Sequence, residues 1–192
     1  MKLEVECTWN EKRNKAKQTI RFDYAPKSIF CMPDEKVHYL RTLSQTAGES
    51  GPSVLKDLKS LKEQFPKSLY AGVIYYQTLE FFEYLEEAEE VLLELKKHFP
   101  QQVFLRCFLA KKLLKNSEHE AFTDFFQNIE VLKGVFPKRK LFFFEEALFF
   151  HNLWVYHFEK MGDGLQSEKH QRFILLIMNT LQSFSLSQEV KA

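Results

Sequence analysis

The sequence predicts a mainly α-helical protein built from about four stacked antiparallel helix pairs, preceded by an N-terminal β-hairpin. A Phe-Pro dipeptide, a short polar spacer and bulky apolar residues recur at Pro66, Pro100 and Pro137, with spacings of 34 and 37 residues. Apolar residues between these prolines recur at helical spacing. The chain of 192 residues has 20 phenylalanines but only six glycines, which favours long elements with large buried rings.

The N-terminal segment is predicted to be a β-hairpin. Apolar and polar residues alternate over 2–9 and again over 19–24, a pattern typical of half-buried strands. An isolated hairpin is marginal in water, so its apolar face must pack on the helices or on another chain. We therefore assign 1–33 to a hairpin and linker, and the hairpin edge could also join two copies of the chain.

From Asp34 onward the apolar spacing becomes helical, and Pro33 with Asp34 provides a helix start signal. The predicted pairs are Asp34 to about Thr46 with 55–65, Leu69–Phe82 with 86–99, Val103–Leu114 with Ala121–Phe136, and Leu141–Met161 with Leu165 to about Phe184. These pairs form one predicted repeat domain over 34–184, and 185–192 is a predicted frayed tail.

The recurring Phe-Pro dipeptide is interpreted as a helix terminator. Proline lacks the backbone N–H, and its ring clashes with the preceding helical turn. Phe65, Phe99 and Phe136 are expected to anchor the end of one pair against the next. Each pair cannot bury its apolar face alone, so stacked pairs would share a common core.

Residues 69–100 resemble a tetratricopeptide repeat, whose unit is a helix-turn-helix of about 34 residues. In "YLEEAEEVLLELKKHFP", Ala88 matches the family's small residue, Leu92 and Leu95 match packing positions, and Pro100 closes the unit. The likeness is divergent, since Gly72 stands where the family usually has an aromatic residue. It implies a tetratricopeptide-like α-α superhelix over 34–184.

The resemblance also implies a groove lined by the first helix of each pair, and an aromatic-lined groove suits an extended or helical peptide. The residues expected to face it are Tyr70, Val73, Gln77, Glu80, Phe104, Lys111, Lys115, Phe142, Glu145, Phe149 and Asn152. The family's basic clamp for C-terminal carboxylates is absent. The leading hypothesis is a non-catalytic interaction module that binds a peptide or partner protein.

Three alternatives remain open from the residues alone. One is a bacterial secretion chaperone of the tetratricopeptide type, which the same aromatic positions suit. Another is a structural homodimer joined through the N-terminal hairpin. The third is a small α-helical enzyme.

The sequence offers little catalytic or metal chemistry. Metal-binding spacings and a phosphate-cradling loop are absent, and His151 and His157 are six residues apart. Of the adjacent Glu145 and Glu146, one is expected at the groove surface and the other beside a Lys or Arg. We predict no metal, cofactor, small-molecule substrate or enzymatic activity, and we interpret Cys107 as a packed thiol rather than a nucleophile near His119.

Charge and cysteine content suggest the setting in which the protein works. With 27 basic and 26 acidic residues, the net charge is +1, so no global field attracts nucleic acid or anionic membrane. Three widely spaced cysteines suit a reducing compartment, and each is predicted to be buried. The start of the chain lacks the pattern of a signal peptide. The apolar stretch 141–158 carries two carboxylates, which are costly inside a bilayer. We therefore expect a cytoplasmic protein without a membrane span.

Overall fold

The computed structural model describes residues 2–11, 14–23 and 27–189, and in this part the chain is mainly helical, as predicted. Its contacts divide it into two compact units. Unit 1 comprises Met1–Tyr24 and Arg106–Ala192, and unit 2 comprises Ala25–Leu105.

Unit 2 is helical in its described part. Its elements are α1 (Lys27–Phe30), α2 (Asp34–Gln45), α3 (Ala47–Ser50), a 3-10 turn (Gly51–Ser53), α4 (Val54–Gln64), α5 (Leu69–Phe81), α6 (Leu85–His98) and the start of α7 (Val103–Lys115). Short helices therefore replace the turn expected after α2. Helix α5 contacts α2, α4 and α6, and it approaches α6 closely at Gly72, where an added Cβ would lie 2.4 Å from Leu95 Cδ2.

Unit 1 combines strands with the remaining helices. Its elements are β1 (Lys2–Glu11), β2 (Asn14–Asp23), the rest of α7, α8 (His119–Phe125), α9 (Leu132–Val135), β3 (Phe142–Phe143), α10 (Phe144–Met161) and α11 (Gly164–Glu189). Strand β1 pairs antiparallel with β2, and β3 pairs parallel with the end of β2. Helices α10 and α11 pack together, and α11 also contacts β1. Residues 12–13, the 24–26 part of the predicted linker and the 190–192 part of the predicted tail lie outside the described residues.

Three predicted helices differ from the observed ones. Helix α11 continues to Glu189 instead of ending near Phe184, so the frayed tail predicted over 185–192 is wrong over 185–189. The single helix expected over Ala121–Phe136 is wrong, because α8 ends at Phe125 and both Gln127 and Asn128 adopt a φ of 56°. Such left-handed backbone cannot continue a right-handed helix. Helix α10 begins at Phe144 rather than Leu141, because the two residues before it pair with β2 as β3.

The three Phe-Pro sites adopt one local structure. Phe65, Phe99 and Phe136 have φ values of −122°, −130° and −124°, with ψ values of 64°, 51° and 66°. Each donates its backbone N–H to the residue four positions earlier, and its carbonyl accepts from the N–H three positions later. The residue before proline is sterically excluded from helical backbone. The prediction that Phe-Pro ends a helix is therefore confirmed at all three sites.

A second local structure recurs at helix-to-helix turns. Glu83, Ser117 and Gly162 have φ values of 63°, 61° and 74°. In each case the residue's N–H bonds to the carbonyl three positions back, and the next N–H bonds five positions back. This arrangement is the Schellman motif, whose left-handed position favours glycine. Only the turn at Gly162 has glycine there.

The left-handed turn at Ser117 allows a stability test. A non-glycine residue in this conformation costs about 1–2 kcal/mol, partly offset by the extra freedom glycine has in the unfolded chain. We expect Ser117→Gly to raise the free energy of unfolding by up to about 1 kcal/mol, and Gly162→Ala to lower it by about 1 kcal/mol or more. Urea unfolding followed by circular dichroism would measure both, and a neutral Gly162→Ala would contradict the argument.

Candidate functional site

The predicted groove residues in unit 2 are divided between core and surface. Tyr70 and Val73 on α5 and Phe104 on α7 are buried, whereas Gln77 is exposed and Glu80 is half-buried. Helix α5 is buried on every side from its first residue through Tyr76, as expected for a helix that is apolar all round. The expectation that Tyr70, Val73 and Phe104 present their side chains to a partner is therefore corrected.

In unit 1 only one predicted groove residue is buried. Phe142 belongs to β3, and its ring packs against Phe136 and beneath the Arg139 guanidinium. The expectation that Phe142 faces a groove is therefore corrected. Phe142 belongs to the short strand that pairs with β2 and not to helix α10. The remaining predicted residues of this unit are at least partly exposed: Lys111, Lys115, Glu145, Phe149 and Asn152.

Three of these residues share one face of α10 with an exposed tyrosine. Glu145, Phe149, Asn152 and Tyr156 follow each other at intervals of four, three and four residues, which aligns them along one side of a helix. We call this set the α10 stripe. The opposite side of α10 is buried. The stripe is therefore exposed at Asn152 and Tyr156 and partly exposed at Glu145 and Phe149.

Helix α7 supplies positive charge beside the stripe's aromatic position. The rings of Phe108 and Phe149 meet edge-on, with centroids 4.9 Å apart. Lys111 and Lys115 lie one and two turns beyond Phe108 on α7. At the other end of the stripe, Lys160 Nζ lies 5.5 Å from the centre of the Tyr156 ring. The stripe can therefore offer apolar area, an amide and nearby cations.

One of the two adjacent carboxylates of α10 pairs with an arginine, as predicted. Glu145 is half-buried, whereas Glu146 is fully buried and receives two hydrogen bonds from Arg139, at 3.0 and 2.6 Å. Glu146 also accepts from the Phe143 N–H at 2.9 Å, at the start of α10. Burial raises the pKa of Glu146, and the Arg139 charge opposes that rise. The Arg139–Glu146 pair, with the bond from the Phe143 N–H, holds the backbone at the start of α10.

A cluster of buried histidines lies on the other side of α10. His151 Nδ1 lies 2.8 Å from His170 Nδ1 on α11, and His157 Nδ1 lies 3.2 Å from His119 Nδ1 on α8. Each contact requires one ring to donate and the other to accept. The prediction that His151 and His157 point in different directions is confirmed. Sequence reasoning missed both pairs, because only the packing of α10 on other helices reveals them.

The surroundings of these histidines favour the neutral rings. Burial, followed by the His170 charge, holds the pKa of His151 well below its ordinary value. Burial likewise lowers the pKa of His170, opposed by Glu130, whose Oε2 lies 3.5 Å from His170 Nε2. Burial and then His119 lower the pKa of His157. His151 and His170 have no exposed surface, so they cannot reach a substrate.

Within the described residues, no group of three or more His, Cys, Asp or Glu side chains is arranged to hold a metal ion. Cys107 is fully buried as predicted, and burial raises the pKa of its thiol. A thiol with a raised pKa carries little reactive thiolate. The burial prediction is wrong for Cys31, which is exposed at the end of α1, where its φ is 45°.

Among the described residues, every helix is too short or too polar to cross a membrane. No protein-family model matches the chain, and neither a curated protein nor a solved structure matches it.

Proposed function

We propose that this chain is a non-catalytic protein–protein interaction module that binds a peptide or partner protein along the α10 stripe. The observation that carries the proposal is the partly exposed face of α10, where an aromatic ring, an amide and a second aromatic ring follow at helical spacing. Aromatic side chains contribute large contact area to interfaces, and polar neighbours fix orientation.

We further propose that the helices form a divergent tetratricopeptide-like array behind an N-terminal hairpin. Two repeated features support this. The Phe-Pro terminators recur with one backbone geometry, and the left-handed turns at Glu83 and Ser117 are 34 residues apart. The next turn, at Gly162, comes after a longer interval. That interval contains α8 and α9, two short helices in place of one continuous helix.

A substitution on the stripe tests the proposed function. Asn152→Arg introduces a bulky charge at the centre of the stripe, where it would be desolvated by a bound partner. We expect the variant to recover about tenfold less of its partner than the wild type in affinity capture from the natural cell, measured by quantitative mass spectrometry. The partner would be identified by this selective loss.

The matched control is Gln101→Arg, which replaces another exposed amide far along the sequence. It should recover the same proteins as the wild type. Circular dichroism would first show whether the Asn152→Arg variant is folded. If the folded variant recovers every captured protein as well as the wild type does, binding along the stripe is contradicted.

A homodimer is the second candidate. In the sheet order β1-β2-β3, β1 is an edge strand within the described residues, and an edge strand can pair with its copy in a second chain. Light scattering on the full chain distinguishes a monomer from a dimer. A monomeric mass at concentrations of about 100 μM would exclude a dimer with a Kd much below that value.

A further inference from the structure

A second exposed apolar surface lies in unit 2, at the turn between α5 and α6. Phe81, Tyr84 and Leu85 expose 62%, 47% and 62% of their surface. Single exposed apolar residues are normal, but a cluster of them is typical of an interaction site. We call these three residues, with Glu83 and Glu86, the α5–α6 tip.

The turn holds this surface in one backbone conformation. The Glu83 N–H bonds to the Glu80 carbonyl at 3.2 Å, and the Tyr84 N–H bonds to the Leu79 carbonyl at 2.9 Å. The Leu85 N–H also bonds to the Glu83 carbonyl at 2.9 Å. These bonds fix the backbone of the turn that carries the exposed apolar side chains. The tip is therefore preorganised, which lowers the entropy cost of binding.

Local contacts also position the Phe81 ring. It lies edge-on to the half-buried Phe82, with ring centroids 4.9 Å apart. On α3, a Cβ added at Gly48 would lie 3.8 Å from Phe81 Cζ. Residues Glu83–Glu87 line an open depression of about 480 Å³ at the same turn. The tip thus has both a projecting ring and a concave area that a side chain could fill.

Charge determines which partner the tip suits. From Glu80 to Leu95 the chain has seven glutamates and no Lys or Arg. Glu87 and Glu94 pair with Lys59 and Lys62 on α4. In contrast, the exposed Glu83, Glu86 and Glu90 form no ion pair within the part of the chain that the structure describes. The tip therefore keeps a negative field around its apolar side chains, which repels nucleic acid and acidic peptides.

We propose that the α5–α6 tip docks a basic, amphipathic segment of a partner protein. Apolar side chains of that segment cover Phe81, Tyr84 and Leu85, and its Lys or Arg side chains pair with the three uncompensated glutamates. The tip consists of different residues from the α10 stripe, and the proposal does not depend on the function proposed for the stripe. Such mixed apolar and ionic contacts give specificity through charge complementarity.

The test uses two synthetic fluorescent peptides of about 14 residues with Leu at helical spacing, one with Lys and one with Glu at the polar positions. Fluorescence anisotropy with the full chain measures both affinities. We expect the Lys peptide to bind at least about tenfold more tightly than the Glu peptide. The difference should shrink at about 0.5 M salt, where the Debye length is only a few ångström.

Glu86→Lys with Glu90→Lys reverses two exposed charges one turn apart on α6, and should weaken binding of the Lys peptide about tenfold or more. Glu120→Lys with Asp124→Lys is the matched control, because it makes the same charge change at the same spacing on α8. Phe81→Ser and Leu85→Ser should each weaken binding without changing net charge. The proposal is overturned by absent binding to the wild type, by equal loss in the α8 control, or by unchanged affinity in the α6 and serine variants.

Discussion

Arg139→Ala is expected to lower the free energy of unfolding by about 3 kcal/mol. The substitution removes both hydrogen bonds to Glu146 and leaves a fully buried carboxylate without its cation. Breaking a buried ion pair by removing one partner typically costs about 3–5 kcal/mol. We choose the lower end because Arg139 is 24% exposed, so water can partly reach the carboxylate. Urea unfolding monitored by circular dichroism measures the change.

A double-mutant cycle separates the ion pair from the other contacts of Arg139. Glu146→Gln removes the buried charge, so adding it to Arg139→Ala should recover about 1–3 kcal/mol of the loss. The matched control is Arg172→Ala, which breaks an exposed ion pair with Glu168 one turn away on α11. That loss should stay below about 0.5 kcal/mol. Equal costs for Arg139→Ala and Arg172→Ala would show that the buried pair does not stabilise the fold.

Acid is expected to destabilise unit 1 through its histidine pairs. His151, His157 and His170 have lowered pKa values in the folded protein, while an unfolded histidine titrates near pH ~6.5. The unfolded chain therefore binds more protons below that pH, so the free energy of unfolding falls as pH decreases. The expected slope approaches about 1.4 kcal/mol per pH unit for each histidine that stays neutral when folded.

The measurement is urea unfolding between about pH 7 and pH 5, above the range where most carboxylates titrate. Trp154 lies against the cluster, 5.9 Å between ring centres from His170, so its fluorescence in a Trp9→Phe background reports on this region. His151→Phe with His170→Phe should reduce the pH slope even if overall stability changes. His98→Gln, which replaces an exposed histidine, is the control substitution. If the double variant has the same pH slope as the wild type, the prediction that these histidines cause the loss of stability in acid is refuted.

The histidines also illustrate why sequence reasoning found only part of the candidate site. The spacing of His151 and His157 correctly separated their directions around α10. Their partners, His170 and His119, come from other helices, and no local pattern specifies which residues those helices bring into contact. Likewise, the tetratricopeptide resemblance placed Glu145, Phe149 and Asn152 among the groove residues, but only the packing of α10 leaves these three at least partly exposed.

The sequence by itself determined where the three helices before a Phe-Pro dipeptide end, because proline and the residue before it have few allowed backbone conformations. Phe65, Phe99 and Phe136 consequently share one geometry despite different surroundings. Tertiary structure decided which predicted surface residues are buried. Tyr70 packs edge-on against Phe30 from α1, and Phe142 joins a sheet with a strand 120 residues earlier. Burial depends on contacts between distant segments, whereas helix termination depends on sterics between neighbouring residues, and a single sequence encodes the second far more directly.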